Sequence, residues 1–250
     1  ANIAPITANV QGDFSDLITL NTSQERADQF ALNVTDDISL EKAILLNNLT
    51  SSSVTLTKAK DTFSNIVEIN ALTPENSLDG IFINSAEITV IDTVDNDKST
   101  TLNSFTSNKV IINDINDSYE NILKIEGQKV TQDSTDGLDI SNSTITVNDT
   151  ISLEKVNNIN TFTQDTITVE FFADTLTNTE ALRNIPLNSV DTTNTILTIN
   201  EVVSFEDINS SPLFLEQEYP SLNLTEVADS FDNIVQLENS LSCLLYTSDA

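Results

Sequence analysis

Histidine, tryptophan and methionine are absent from this chain of 250 residues, and cysteine occurs once, at Cys243. Without histidine there is no Ser-His-Asp or Cys-His nucleophile and no imidazole ligand for a metal. A lone cysteine excludes an internal disulfide framework and a cysteine-rich zinc site. Glycine is reduced to four residues and proline to five. Neither a P-loop nor a Gly-x-Gly-x-x-Gly turn is written, so phosphate cradles of those kinds are excluded. No linker rich in Pro, Gly or Ser divides the chain. No apolar run approaches the ~20 residues that span a bilayer, and no secretory signal is visible.

Positive charge is the other scarcity. Lys and Arg number 10 against 39 Asp and Glu, a net charge of −29. Such a chain repels nucleic acid and anionic lipid, both polyanions, so neither nucleic-acid binding nor membrane insertion is expected. Solubility and diffuse cation uptake are favoured instead. The opening Ala1-Asn2 and the lack of Met point to a piece of a longer protein. The final stretch, Cys243-Leu244-Leu245-Tyr246-Thr247-Ser248-Asp249-Ala250, fits no repeat and resembles translated sequencing-adapter read-through. Residues 243–250 are therefore set aside as a non-native tail.

What is present is a repeat. Asp117-Ser118-Tyr119-Glu120-Asn121-Ile122-Leu123-Lys124-Ile125 returns as Asp61 to Ile69 and as Asp229 to Leu237, with weaker copies at Gly12 to Leu20 and Asp174 to Leu182. The aromatic or Leu position falls at 14, 63, 119, 176 and 231, giving spacings of 49, 56, 57 and 55. A near-fixed period over five copies is the mark of stacked repeats. Each strong copy follows a β-branched run that reads as a strand, such as Val54-Thr55-Leu56 or Val110-Ile111-Ile112. The Asp-Ser/Thr pair then reads as a helix N-cap, with Phe63, Ile66 and Val67 on one helical face. Ile66, Val67 and Ile69 would equally suit a strand, so helical turn and strand both stand.

A second unit runs Val34-Thr35-Asp36-Asp37-Ile38-Ser39-Leu40-Glu41-Lys42 and returns 113 residues later as Val147 to Lys155. It closes on Leu46-Asn47-Asn48-Leu49, Leu102-Asn103-Ser104-Phe105 and Ile159-Asn160-Thr161-Phe162. Ser39 and Ser152 open amphipathic helices of two or three turns. A third segment places Asp79-Gly80 and Asp136-Gly137 at a turn into a short strand, where a positive φ suits Gly. Pro212 and Pro220 bracket an irregular stretch that interrupts the last repeat. The expected fold is an α/β repeat solenoid of strand–turn–short-helix coils with a parallel sheet; a parallel β-helix is the alternative. One solenoid of about four and a half ~56-residue repeats covers 1–242, with boundaries near 23, 53, 109, 166 and 220. In that register Tyr119 and Ile122 are buried, Glu120 faces solvent, and Asn121 bonds to backbone. The columns Asn65, Asn121, Asn233 and Asn47, Asn103, Asn160 sit at corners, where they also suit an Asn ladder.

The Ile-Thr-Val-x-Asp-Thr pattern at Ile88 to Thr93 and Ile145 to Thr150, with Asp-Ser/Thr-aromatic-x-Asn-Ile, resembles the tandem repeats of large secreted bacterial and cyanobacterial surface proteins. Those are S-layer- or adhesin-like, strand-repeat-containing chains. The resemblance covers roughly residues 6–240 and implies an extracellular or cell-surface structural or adhesive role. Its implied partners are neighbouring repeats of the same longer chain and a cell-surface glycan or protein. It supplies no catalytic residues.

For chemistry, carboxylates remain. Calcium prefers hard oxygens, and Asp92, Asp95 and Asp97, with Asp114 and Asp117, cluster them; no other cofactor is expected. Neither cluster has the EF-hand's glycine or its closing glutamate. Three functions follow: a non-enzymatic, acidic, elongated spacer or coat; a glycan- or protein-binding solenoid module; or a carboxylate-based polysaccharide hydrolase or lyase. The first is preferred, because Phe and Tyr fall mostly in core columns and leave few aromatic platforms for a sugar cleft.

Overall fold

The computed structural model describes residues 8–22, 30–73, 79–130, 136–182, 185, 190–215, 221–230 and 232–235. The tail at 243–250 and the boundaries near 23 and 220 lie outside them. The chain divides into two compact units, Ala1–Ile115 with Asn121–Ile140, and Asn116–Glu120 with Ser141–Ala250. Both have the α/β construction expected: short helices alternate with the strands of a parallel sheet, one strand–turn–helix coil after another.

In the first unit the coils are β1 (Ala8–Gly12) with α1 (Phe14–Leu17), β2 (Phe30–Ile38) with α2 (Leu40–Asn47), and β3 (Ser53–Asp61) with α3 (Phe63–Ala71). They continue through β4 (Gly80–Phe82), β5 (Glu87–Val94) with α4 (Asn96–Asn103), β6 (Lys109–Asp117) with α5 (Tyr119–Glu126), and β7 (Gly137–Asp139), the end of β6 and the start of α5, Asn116–Glu120, being assigned to the second unit. The strand order is β1-β2-β3-β5-β6, with β4 beside β3 and β7 beside β6, all parallel. The second unit runs β8 (Thr144–Ile151), α6 (Leu153–Ile159), β9 (Ile167–Asp174), α7 (Leu176–Leu182), β10 (Val190–Asp191), β11 (Ile196–Val203), α8 (Phe205–Ser210), α9 (Pro212–Leu215) and β12 (Ser221–Val227). Its order is β8-β9-β11-β12, with β10 beside β9.

The recurring stretch is helical. Strand β3 ends at Asp61, and Thr62 takes an extended φ of −66° and ψ of 159° as N-cap, its hydroxyl accepting from the Asn65 N–H at 3.4 Å. Helix α3 then buries Ile66 and Ile69 completely. Phe63 and Val67 are only half-buried, so the core face lies one step round from the expected one. In α5 the expected register holds: Tyr119, Ile122 and Ile125 are buried and Glu120 is exposed. The strands turn every second residue inward, such as Leu32, Val34, Val54, Leu56, Ile88 and Val90, and these columns stack into the core of the first unit.

The third segment is a broken strand. β3 pairs with β4 along Ser53–Thr55 and with β5 along Lys58–Asp61, so β4 and β5 share one neighbour end to end. β9 is shared in the same way between β10 and β11. Entry to β4 and β7 needs the expected glycines, with φ of 120° at Gly80 and 128° at Gly137. The stretch after Pro212 is a correction: it opens as a helical turn, α9, that buries Leu213 and Phe214.

A Cβ at Gly137 would lie 2.8 Å from the Gln128 carbonyl oxygen, whereas one at Gly127 would meet nothing nearer than 3.4 Å. Gly137→Ala should therefore destabilise by more than ~1 kcal/mol in chemical denaturation, and Gly127→Ala by less.

Candidate functional site

Of the five aspartates expected to ligate calcium, Asp92, Asp95, Asp114 and Asp117 are engaged by the fold and Asp97 faces solvent. The Asp92 carboxylate accepts from the Phe63 N–H at 2.6 Å. Asp95 is the N-cap of α4 and accepts from the Lys98 N–H at 2.8 Å. Asp97 is exposed in the first turn of α4, with the Asn96 amide 3.4 Å away. Asp114 accepts from the Thr93 hydroxyl, and Asp117 from the Ser118 N–H at 2.7 Å. Among the described residues no three acidic side chains converge where a metal ion could be held. No helix among them is long and apolar enough to cross a membrane.

Asp92 belongs to a wider rule. The first N–H of an α-helix has no partner inside the helix. Here that N–H is met by a carboxylate from the next coil. In the first unit Phe14 donates to Asp36 at 2.9 Å, Leu40 to Asp61 at 2.9 Å and Phe63 to Asp92 at 2.6 Å. In the second, Tyr119 donates to Asp149 at 2.7 Å, Leu153 to Asp174 at 2.9 Å, Leu176 to Glu201 at 2.5 Å and Phe205 to Asp229 at 2.8 Å. Each bond is charge-assisted and places a negative group at the positive end of a helix dipole.

The clamps have two forms. Asp36, Asp92, Asp149 and Glu201 stand where β2, β5, β8 and β11 shift register against the next strand, a β-bulge that re-aims the side chain. Asp61, Asp174 and Asp229 instead come at or just after a strand end and bind twice more. One carboxylate oxygen takes the N–H of the following Thr62, Thr175 or Ser230. It also takes the side-chain amide of Asn65 at 2.9 Å, Asn178 at 2.8 Å or Asn233 at 2.7 Å. Asn65, Asn178 and Asn233 thus serve the carboxylate four residues earlier. Asn121 accepts from the Lys124 ammonium at 2.8 Å. The Asn–Asn contact of Asn148 with Asn116, at 2.9 Å, belongs to a different column.

These contacts set the acidity of the clamps. Burial works to raise the Asp61 pKa, but hydrogen bonds from the Leu40 N–H, the Asn65 amide and the Thr62 N–H outweigh it and hold it below the usual aspartate value. Asp174 is lowered by the same balance: burial raises it, and Asn178, Leu153 and Thr175 bring it down. Asp229 is lowered by the Phe205 N–H first, then by Asn233 and Ser230.

Three of the scarce lysines complete the joints. Lys42 lies 5.3 Å from the Phe14 ring centre, Lys98 5.7 Å from Phe63 and Lys155 4.5 Å from Tyr119, each one coil further on. The Tyr119 hydroxyl also accepts from the Asn158 amide at 2.9 Å. In the next period both partners change together: the ring position is Leu176, and the lysine position is Asp207, whose carboxylate closes a capping box with Ser204. The Asp207 pKa is lowered by the Ser204 N–H and hydroxyl.

Sequence reasoning missed a column of hydroxyls. Thr50, Thr106 and Thr163 are buried and donate to the carbonyls of Phe30, Ala86 and Ser143, one coil back, at 2.8, 2.6 and 2.6 Å. The available signal was their spacing of 56 and 57 residues directly after the apolar-Asn-x-apolar signature.

A carboxylate whose folded pKa is depressed stabilises fully above the unfolded pKa, near 3.9, and loses that contribution as pH falls through the folded pKa. Asp61→Ala and Asp174→Ala should each cost about 1–2 kcal/mol near pH 7, at the low end for charged hydrogen bonds because the groups are partly solvated. The deficit against wild type should shrink towards zero when denaturation is repeated near pH 2. In a double-mutant cycle at neutral pH, Leu176→Phe with Asp207→Lys should show favourable coupling of about 0.5–1 kcal/mol.

No protein-family model, curated protein or solved structure matches this chain.

Proposed function

We propose that this chain is a non-enzymatic structural segment of an extracellular or cell-surface protein, an acidic spacer or coat built from repeats. The observation that carries the reading is the placement of the repeat-column carboxylates. Seven of them are each committed to the helix start of the preceding coil. Hydrolytic work asks for the opposite arrangement, two carboxyl groups facing one bond across a fixed gap. Side chains spent on holding coil to coil suit a part whose task is to persist and to keep its distance. The net charge of −29 supports the same reading, since like-charged coats repel one another.

Microspheres coated with the protein should stay dispersed at neutral pH and low salt. They should flocculate near the isoelectric point of about 4.1, and also in ~1 M salt, where the screening length falls to ~3 Å. Incubation with neutral and acidic polysaccharides should release no reducing ends or unsaturated products. Release that an Asp→Asn substitution abolishes would overturn the proposal in favour of a carboxylate enzyme.

A further inference from the structure

The coil of β1 breaks the repeat at one joint, and at both halves of it. At the strand ends the chain writes Asp61, Asp117, Asp174 and Asp229, each followed four residues later by Asn65, Asn121, Asn178 and Asn233. In the coil of β1 those two columns hold Gly12 and Asp16. Seven residues before the clamp, where the others have Val54, Val110, Ile167 and Leu222, this coil has Pro5, which brings no N–H to a strand ladder. The fold does not require the glycine. Gly12 lacks the positive φ of Gly80 and Gly137, and a Cβ on it would meet nothing nearer than 3.6 Å. An aspartate therefore fits there without backbone strain.

Elsewhere the Asp–Asn pair holds the coil before it. Asp61 gives one carboxylate oxygen to the Leu40 N–H at 2.9 Å and the other to the Asn65 amide at 2.9 Å. Asp174 and Asp229 do the same for Leu153 and Phe205. Gly12 has no side-chain oxygen to offer across the outer edge of β1. Asp16 is the opposite of a supporting amide. Its Cβ is the atom closest to where a Cβ of residue 12 would stand, at 3.6 Å, so it would meet a carboxylate there with like charge. Loss of the acceptor and reversal of its support act in the same direction. The ties to the following coil are kept: Phe14 donates to Asp36 at 2.9 Å, and Asp13 accepts from the Thr35 hydroxyl at 2.6 Å.

From these observations we infer that the coil of β1 is a built-in stop: its outer edge does not hold a further coil, whether from the chain itself or from a second copy. An unpaired strand edge is a template for added strands, and stacked repeats end in an atypical coil. Here the device is specific, a clamp withheld on one side of a coil and kept on the other. Residues ahead of β1 are free to continue in another form. A stop at this place serves a spacer and a binding module alike, so it stands apart from the role proposed above.

The test adds a coil. A copy of residues 87–105, which carries β5 and α4, is joined ahead of Ala1, so that position 12 keeps the spacing of Asp117 from that coil. In the otherwise unaltered chain the amides of the added helix should exchange with deuterium as in an unfolded peptide. With Pro5→Val, Gly12→Asp and Asp16→Asn together, the residues other coils use, they should be protected about tenfold or more. The converse writes the stop into the stack of the unextended protein. Asp61→Gly with Asn65→Asp should speed exchange of the α2 amides, in the coil before, about tenfold or more. The amides of α4, in the coil after, should be unchanged; a general fault in packing would loosen both. The assignment is overturned if the added coil is protected ahead of Gly12, if the triple substitution gives it no protection, or if the converse variant leaves α2 unmoved.

Discussion

A carboxylate accepting the first N–H of the preceding coil's helix is the contact on which both units depend. A helix of seven to nine residues, such as α3 or α6, leaves a large share of its amide groups without an internal partner. A coil this small cannot supply every missing acceptor itself. The next coil does, with Asp61 for Leu40 or Asp174 for Leu153. Stability is therefore written between neighbours rather than within them, as expected of a one-dimensional stack. The arrangement also makes a large acidic content tolerable. A carboxylate against a helix start meets partial positive charge, which offsets its repulsion from the carboxylates of adjoining coils.

The period of about 57 residues rather than half that value follows from using two kinds of clamp in turn. A bulge carries Asp36, Asp92, Asp149 and Glu201, and a strand end carries Asp61 and Asp174. The triply bonded form goes with the Asn column, which explains why Asn65 and Asn178 appear in alternate coils. The lysine-over-ring joint has the same alternation: rings at Phe14, Phe63 and Tyr119, lysines at Lys42, Lys98 and Lys155. At Leu176 and Asp207 both halves are replaced, as a joint that acts between coils would demand. A lysine without its ring would gain little, and a ring without its lysine would be left partly uncovered.

How far all this was legible depends on distance along the chain. The helix after each Asp-Ser/Thr pair, the glycines at 80 and 137 and the short strands after them are local, and turn chemistry reads them directly. The use of the aspartate is not local. Sequence reasoning gave Asp61 to the cap of its own helix, because its own helix is what lies next to it in the chain. One oxygen does stay there, on the Thr62 N–H and the Asn65 amide, but the other goes to Leu40, 21 residues back, and Asp92 reaches Phe63, 29 residues back. The same limit hid Thr50, Thr106 and Thr163, whose acceptors lie 20 residues away. Asp92, Asp95 and Asp97 looked like a set of oxygen ligands because they are dense in sequence. In the fold one clamps α3, one caps α4 and one faces solvent.

A repeat also sorts residues by what constrains them. Positions that recur answer to the stack, and positions that break the pattern are free to answer to something else. Glu120 varies and points outward, and so do most residues on the outer sides of the helices. On the open sheet face, threonine is the common solution: Thr89, Thr146 and Thr198 in one column, Thr55 and Thr168 in neighbouring strands. A β-branched hydroxyl suits a strand and tolerates water, so its recurrence needs only that explanation. Asn33 departs from it, whereas the column of Ala31, with Glu87, Thr144 and Ile196, has no common residue. The Asn33 side-chain oxygen is buried without a hydrogen-bond partner, as is that of Asn103. An unpaired buried acceptor is costly, and a threonine at position 33 would remove it. The same cost falls on Asn103 in another column, so the packing of the coils offsets it at more than one place.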